Sequence, residues 1–291
     1  MIQIINQIYW DRINSGFMAG TSLKKDANEI IQFKNYLMPA GKTIIKWSSS
    51  LNYQASKEVP RLPILLSNKT YRLNIDLDTK PANTVIFCLR FFDLQTNEIK
   101  KIVFTDQEKE FIYPSDAVSY TFEIISGGCK EITFRRAQIG EAKIPIEAFD
   151  NFYPVTFKAS KNKENKKIGL LLVADSKRAR ELNNFSLPNV LNFTLIIGYL
   201  SWQTNASQLK GLEDLIKKYS DQDLVIFSSS QTIDNFLQKN KFDIIETNKI
   251  VPSTDLTNNP IENSQTQWFN LAVNETNLQD AVNQTIEYLK E

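Results

Sequence analysis

The chain has 291 residues, 42% hydrophobic and 23% charged, with a formal net charge of +1; this is the composition of a globular protein of two domains, or of one large one. Residues 1–150 carry 19 basic and 17 acidic side chains and the remainder 15 and 16, so neither half is a basic nucleic-acid platform. There is no histidine, which excludes Ser-His-Asp and Cys-His catalysis in their usual form, and two cysteines alone cannot close a common zinc site.

The opening MIQIINQIYWD has no basic segment ahead of an apolar core and does not read as a signal peptide. No apolar run reaches the roughly 18 residues of a membrane span, so a cytosolic protein is expected. Short strands are predicted at 3–9, 17–21, 29–33 and 43–47. The last runs into KWSSSLNYQ (46–54), where three serines and the amides Asn52 and Gln54 surround Trp47 and Tyr53. Pro60 and Pro63 break the chain before ILL. Tyr71, Leu73, Ile75 and Leu77 then alternate with Arg72, Asn74, Asp76 and Asp78, the period of a half-buried strand. TVIFCLRFFD (84–93) is apolar on both faces apart from Arg90 and reads as a central strand, with LQTNEIKKIVF supplying a turn and a hairpin partner. Val118, Tyr120, Phe122 and Ile124 repeat the alternation, and Ile132 and Phe134 start a further strand. Eight to ten short strands and no convincing helix predict an antiparallel β-sandwich, a jelly roll, over residues 1–150. Cys88 and Cys129 are expected to be unpaired thiols, because a cytosol is reducing.

The charged stretch KASKNKENKK (158–167) reads as a solvated linker. Beyond it the period changes. KIGLLLVAD, FTLIIGYL, DLVIFSSS, FDIIET and WFNLAV are mostly continuous apolar runs, as in strands covered on both faces. Leu209, Leu212, Leu215, Ile216 and Tyr219 share one helical face, as do Ile233, Phe236 and Leu237, and Leu278, Ala281, Val282, Ile286 and Leu289. Strands alternating with helices predict an α/β domain over 151–291, Rossmann-like and with a mostly parallel sheet.

Motifs for chemistry are sparse. SKRARELNN after the first of these strands has no glycine to bring backbone N–H groups to a phosphate. The serines at 228–230 stand where such folds bind ligands, but Ser230 is read as a helix cap, and Asp175-Ser176 as another. Asp76 and Asp78 share the polar face of one strand; a glycosidase needs only two carboxylates, though a solvated like-charge pair is the plainer reading. No catalytic residue, cofactor or metal is therefore assigned. The one candidate contact site is Trp47, Asn52, Tyr53 and Gln54: rings can pack on sugar C–H groups while amides bond hydroxyls or a peptide backbone, against the plainer reading that two rings enter the core.

LMPAGKTIIKW (37–47), NYQASKEVPRLPIL (52–65) and LRFFDLQTNEI (89–99), with the less distinctive EFIYPSDAVSYTFEIISGGCKEITFRRAQI (110–139), resemble accessory secretory protein three of the bacterial accessory Sec system. The resemblance spans roughly residues 8–140 and leaves the α/β half uncovered. It implies a non-enzymatic, carbohydrate-binding-module-like sandwich. It also implies a complex with two larger accessory secretory proteins that serves export of O-glycosylated serine-rich-repeat adhesins through a dedicated SecA motor and SecY. Such an adaptor or chaperone would be cytoplasmic, with a peripheral place at the inner face of the membrane left open. It transfers no site residue. The alternative is a sugar-active transferase or hydrolase whose sandwich binds glycan and whose α/β half catalyses.

Overall fold

The structure, a computed structural model, describes residues 3–10, 20–26, 28–50, 60–159, 167–201, 206–219, 221–239, 249–252 and 278–290. The chain divides into two compact units, one of Ile4–Pro145 and one of Ile146–Glu291 with Met1–Gln3.

The first unit is built from strands β1 (Gln3–Ile8), β2 (Ser22–Lys25), β3 (Ile31–Lys34), β4 (Thr43–Ser48), β5 (Thr70–Lys80), β6 (Val85–Phe92), β7 (Glu98–Phe104), β8 (Glu108–Ile112), β9 (Ser119–Ser126) and β10 (Glu131–Glu141). They form two antiparallel sheets. In one, β5 lies between β8 and β10, β1 and β3 share the far edge of β10, and β2 pairs with β3. The other runs β4-β9-β6-β7. The inward set of β5, Tyr71, Leu73, Ile75 and Leu77, is buried together with Phe87, Leu89 and Phe91 of β6 and Tyr120, Phe122 and Ile124 of β9 in one cluster. Antiparallel register sets Phe87 opposite Ile124, Leu89 opposite Phe122 and Phe91 opposite Tyr120. Each such side chain removed from water contributes about 1.5–3 kcal/mol, which is why a period of two suffices to define the sheet's inner face. Two sheets closing on one core are a β-sandwich, and no α-helix lies in this unit among the described residues. Cys88 and Cys129 are free and buried. The strand expected at 17–21 lies mostly outside the described residues.

The second unit opens with a 3-10 turn, Ile146–Phe149, followed by β11 (Phe152–Phe157), β12 (Lys167–Ala174), β13 (Ala179–Leu182), β14 (Thr194–Leu200), α1 (Ala206–Lys218), β15 (Asp223–Ser228), α2 (Gln231–Lys239), β16 (Lys249–Val251) and α3 (Leu278–Lys290). One sheet runs β11-β14-β12-β15-β16. β12 is parallel to β14 and β15, and β15 to β16, while β11 is antiparallel to β14. Ile168, Leu170 and Leu172 of β12 pack in one cluster with Leu212 and Ile216 of α1 and Ile233 and Leu237 of α2. On the opposite face α3 packs Tyr288 edge-on against Phe227 of β15. Apolar cover on both faces is what the uninterrupted runs require. The expected strands FDIIET and WFNLAV, and most of the expected linker 158–167, lie outside the described residues.

The expected helix cap at Asp175-Ser176 is corrected. The Ser176 hydroxyl accepts from the N–H groups of Arg178 and Ala179 at 3.3 and 3.0 Å and donates to the Ala179 carbonyl at 2.9 Å. That closes a turn into a strand, β13. Ser230 does cap a helix: its hydroxyl accepts from the Ile233 N–H at 3.4 Å, ahead of α2.

Candidate functional site

Trp47 is the first residue to place, and the structure puts it in the core. It lies opposite Phe122 across β4 and β9 and is 4% exposed. Its ring stacks on Phe122 with centroids 5.2 Å apart, tilts against Phe134 at 5.5 Å and meets Trp10 edge-on at 6.5 Å. Its indole N–H donates to the Tyr9 carbonyl at 3.1 Å, so the one polar atom of the ring is satisfied. The expectation that Trp47 is displayed is therefore corrected. The serines that suggested a wet loop spend their polarity on backbone instead. Ser49 Oγ accepts from the Tyr120 N–H at 2.9 Å, the Ser49 N–H donates to the Tyr120 carbonyl, and the Ser48 carbonyl accepts from Arg61 and Leu62. Asn52, Tyr53 and Gln54 lie outside the described residues.

The outward faces of the strands carry the charge. Asp76 and Asp78 of β5 are both held by Arg135, Nη1 to Asp76 Oδ1 at 2.8 Å and Nη2 to Asp78 Oδ2 at 2.5 Å. Arg135 occupies a register shift in β10 between Phe134 and Arg136, and that bulge re-aims the guanidinium at both carboxylates. One cation spanning both acids compensates their like charges. The outer face of the β4-β9-β6-β7 sheet holds a second network. Glu123 sits between Lys46, at 4.0 Å, and Arg90 Nε, at 3.3 Å, and Arg90 Nη1 reaches Glu98 at 2.7 Å. The Glu98 hydrogen bond holds the Arg90 guanidinium above its ordinary pKa. Cys88 lies beneath, where burial pushes its thiol up and makes it a poor nucleophile at neutral pH. Thr121, between Ser48 and Arg90 in the register, has its hydroxyl buried without a hydrogen-bond partner.

In the second unit, Asp175, Ser201 and the serines at 228–230 gather at the carboxyl ends of β12, β14 and β15, the usual ligand position of an open parallel sheet. Here they are tied down. Arg180, fully buried on β13, bonds both Asp175 oxygens from Nε at 2.9 and 3.0 Å and gives Nη1 to the carbonyls of Ala148 and Asp150. The Ser228 hydroxyl donates to the Ser230 carbonyl at 3.0 Å. Tyr199 accepts at its hydroxyl from the Asn183 N–H, and burial pushes its pKa up to about 12. Among the described residues, no three acidic or cysteine side chains gather as a metal site, and no helix is long and apolar enough to cross a membrane. Arg135, Arg180 and the pairing of Arg90 with Glu123 were not singled out from sequence. Only Arg90 left a signal, as the lone charge in an apolar run.

The first unit is thus a β-sandwich whose polar strand faces are knit by ion pairs. Residues 16–141 match the family model described as accessory Sec secretory system ASP3. An accessory Sec system protein of that family from Streptococcus gordonii is 31% identical over 150 residues, 48% of this chain and 94% of the relative. One from Staphylococcus aureus (strain NCTC 8325 / PS 47) is 27% identical over 136 residues, 46% of this chain and 42% of the relative. A chain in the structure of the Glycosylation Associate Protein (Gap123) complex from Streptococcus agalactiae is similar in fold, with a TM-score of 0.54 and 19% identity over 85% of this chain and 77% of that one. A chain of the structure of accessory secretory proteins 1, 2 and 3 from Streptococcus pneumoniae is 31% identical, with a TM-score of 0.46, over 47% of this chain and 96% of that one. The protein belongs to the accessory Sec system ASP3 family and is a component of that secretory system.

Proposed function

We propose that the protein is a non-catalytic adaptor, with chaperone character, of the accessory Sec export pathway. It works in the cytoplasm or at the inner face of the membrane, bound to two other accessory secretory proteins, and helps glycosylated serine-rich-repeat adhesins reach the accessory SecA motor. The observation that carries the reading is that 48% of this chain covers 94% of the Streptococcus gordonii relative, together with the family match over residues 16–141, which lie in the sandwich half. The three-protein assembly named for the Streptococcus agalactiae structure is the arrangement proposed here. Supporting a role without turnover, the Asp76–Asp78 pair is bridged by Arg135 and Asp175 is engaged by Arg180.

In this reading residues 1–150 form a jelly-roll sandwich and residues 151–291 a doubly wound α/β domain without nucleotide motifs; the charged stretch 158–167, expected as the linker, stands between β11 and β12 of the second unit's sheet, past the division at Pro145 and Ile146. The second domain extends the scaffold towards the partners. Asn52, Tyr53 and Gln54 are kept as contacts to a polar chain, on their sequence alone. Gene deletion in the host tests the proposal: adhesin should be lost from the cell surface and restored by the full chain. Undiminished surface adhesin in the deletion strain would rule the adaptor out.

A further inference from the structure

We propose that the free edge of β7, Glu98–Phe104, takes up an extended acidic segment of a partner protein as an added strand, through its outward backbone groups and the Lys100–Lys101 pair. The inference deepens the proposed function by naming an edge that a partner segment uses; its chemistry rests on that edge alone.

β7 ends the β4-β9-β6-β7 sheet and pairs there with β6. An edge strand turns every other N–H and C=O outward, a template for one more strand. Among the described residues, no backbone hydrogen bond from another segment reaches Glu98–Phe104. The sheet's other edge is already engaged, because the Ser48 carbonyl of β4 accepts from the N–H groups of Arg61 and Leu62. Of the devices that blunt an edge, β7 has no proline, and its register shift lies between Glu98 and Lys100, so Lys100–Phe104 pairs regularly. The device it does carry is lysine. Lys100 and Lys101 are exposed, and among the described residues neither stands in an ion pair, whereas nearby Glu98 is taken by Arg90. Ile99, at 40% exposure, and Val103, at 54%, flank them.

These side chains select the occupant. A second copy laid antiparallel sets Lys100 opposite Lys101, or one lysine opposite itself, in every register centred on the pair, and like charges directly opposite destabilise a sheet. Consecutive residues of a strand face opposite ways, so the two lysines call for carboxylates on both faces. The segment that fits is therefore an acidic pair flanked by β-branched apolar residues, which cover Ile99 and Val103. Backbone bonds supply the affinity of such an added strand, and the side chains supply the choice.

The test is titration of the full chain, by calorimetry and amide NMR, with a capped peptide of about nine residues, enough to span the strand at about 3.3 Å per residue. Its central glutamate pair is flanked by valine and threonine. The contrasting probes are the same peptide with a lysine pair, and the glutamate peptide N-methylated throughout to remove its backbone donors. The glutamate peptide should bind with a Kd below about 1 mM, shift the amides of Lys100–Phe104, slow their hydrogen exchange, and bind more weakly as salt rises. Both contrasting probes should bind at least about tenfold more weakly. The double variant Lys100→Glu with Lys101→Glu changes two exposed side chains and should melt as the parent does. It should lose about tenfold in affinity for the glutamate peptide and gain affinity for the lysine one. The inference is overturned if the glutamate peptide leaves those amides unshifted at millimolar concentration, if either contrasting probe binds as well, or if the double variant binds as the parent does. A concentration-dependent dimer of the parent that shifts the same amides would also overturn it, by giving the edge to a second copy. Capture of the two accessory secretory proteins is read separately. If the parent assembles with both while no acidic peptide binds, the edge fails and the adaptor reading stands; if the peptide binds and neither protein does, the adaptor reading fails and the edge stands.

Discussion

A tryptophan beside three serines can be a displayed anchor or a core ring, and composition does not separate the two. The geometry does: Trp47 is wedged among Phe122, Phe134 and Trp10. Trp47→Ala should therefore cost about 3–5 kcal/mol in urea unfolding; a loss under 1 kcal/mol would return the ring to the surface. Tyr199 makes a second residue-level prediction. Its folded pKa, about 12, lies above its ordinary value of 10.0. The neutral hydroxyl's contribution is thus complete below pH 10 and is lost as pH rises towards 12, where the unfolded chain ionises first. Stability measured by denaturant melts from pH 9 to 12 should fall across that window, and Tyr199→Phe should flatten part of the fall. An identical profile for the variant would remove Tyr199 as a cause.

At the scale of elements, the turn between β9 and β10 is set by two glycines. Gly128 has φ +103°, and a Cβ on Gly127 would lie 3.0 Å from the Thr84 carbonyl oxygen, which already accepts the Gly127 N–H at 2.8 Å. That carbonyl cannot retreat without losing its bond. Gly128→Ala should cost about 1 kcal/mol or more, seen as a lower denaturation midpoint with unchanged slope; an unshifted midpoint would show the turn to be permissive. Strands such as β5 and β9 are legible in the sequence because apolar and polar residues alternate along them, and β12, β14 and β15 because they are mostly continuous apolar runs. The inner faces of α1 and α3 are legible for the same reason. The strand β13 was not. Four residues give too short a period, and its anchor, the bonds from Arg180 to the carbonyls of Ala148 and Asp150, joins parts of the chain 32 and 30 residues apart that no local pattern connects. The same holds for the site. Arg135 reaches Asp76 and Asp78 through a bulge and across a sheet, and Glu123 meets Arg90 only once the register is set. Long-range pairing was the part that local chemistry could not supply.

At the scale of the molecule, the two units have separate hydrophobic clusters, each with its own sheet-forming logic. Calorimetric melting of the full chain should show two transitions, one for each unit; a single transition would argue for one cooperative body. The central claim is that this chain works by assembly and not by turnover. Its most direct test is co-expression of the full chain with the two other accessory secretory proteins, followed by affinity capture and light scattering of the eluate. The account predicts one stable particle containing all three. Elution of the chain alone, with both partners soluble and left in the flow-through, would contradict it.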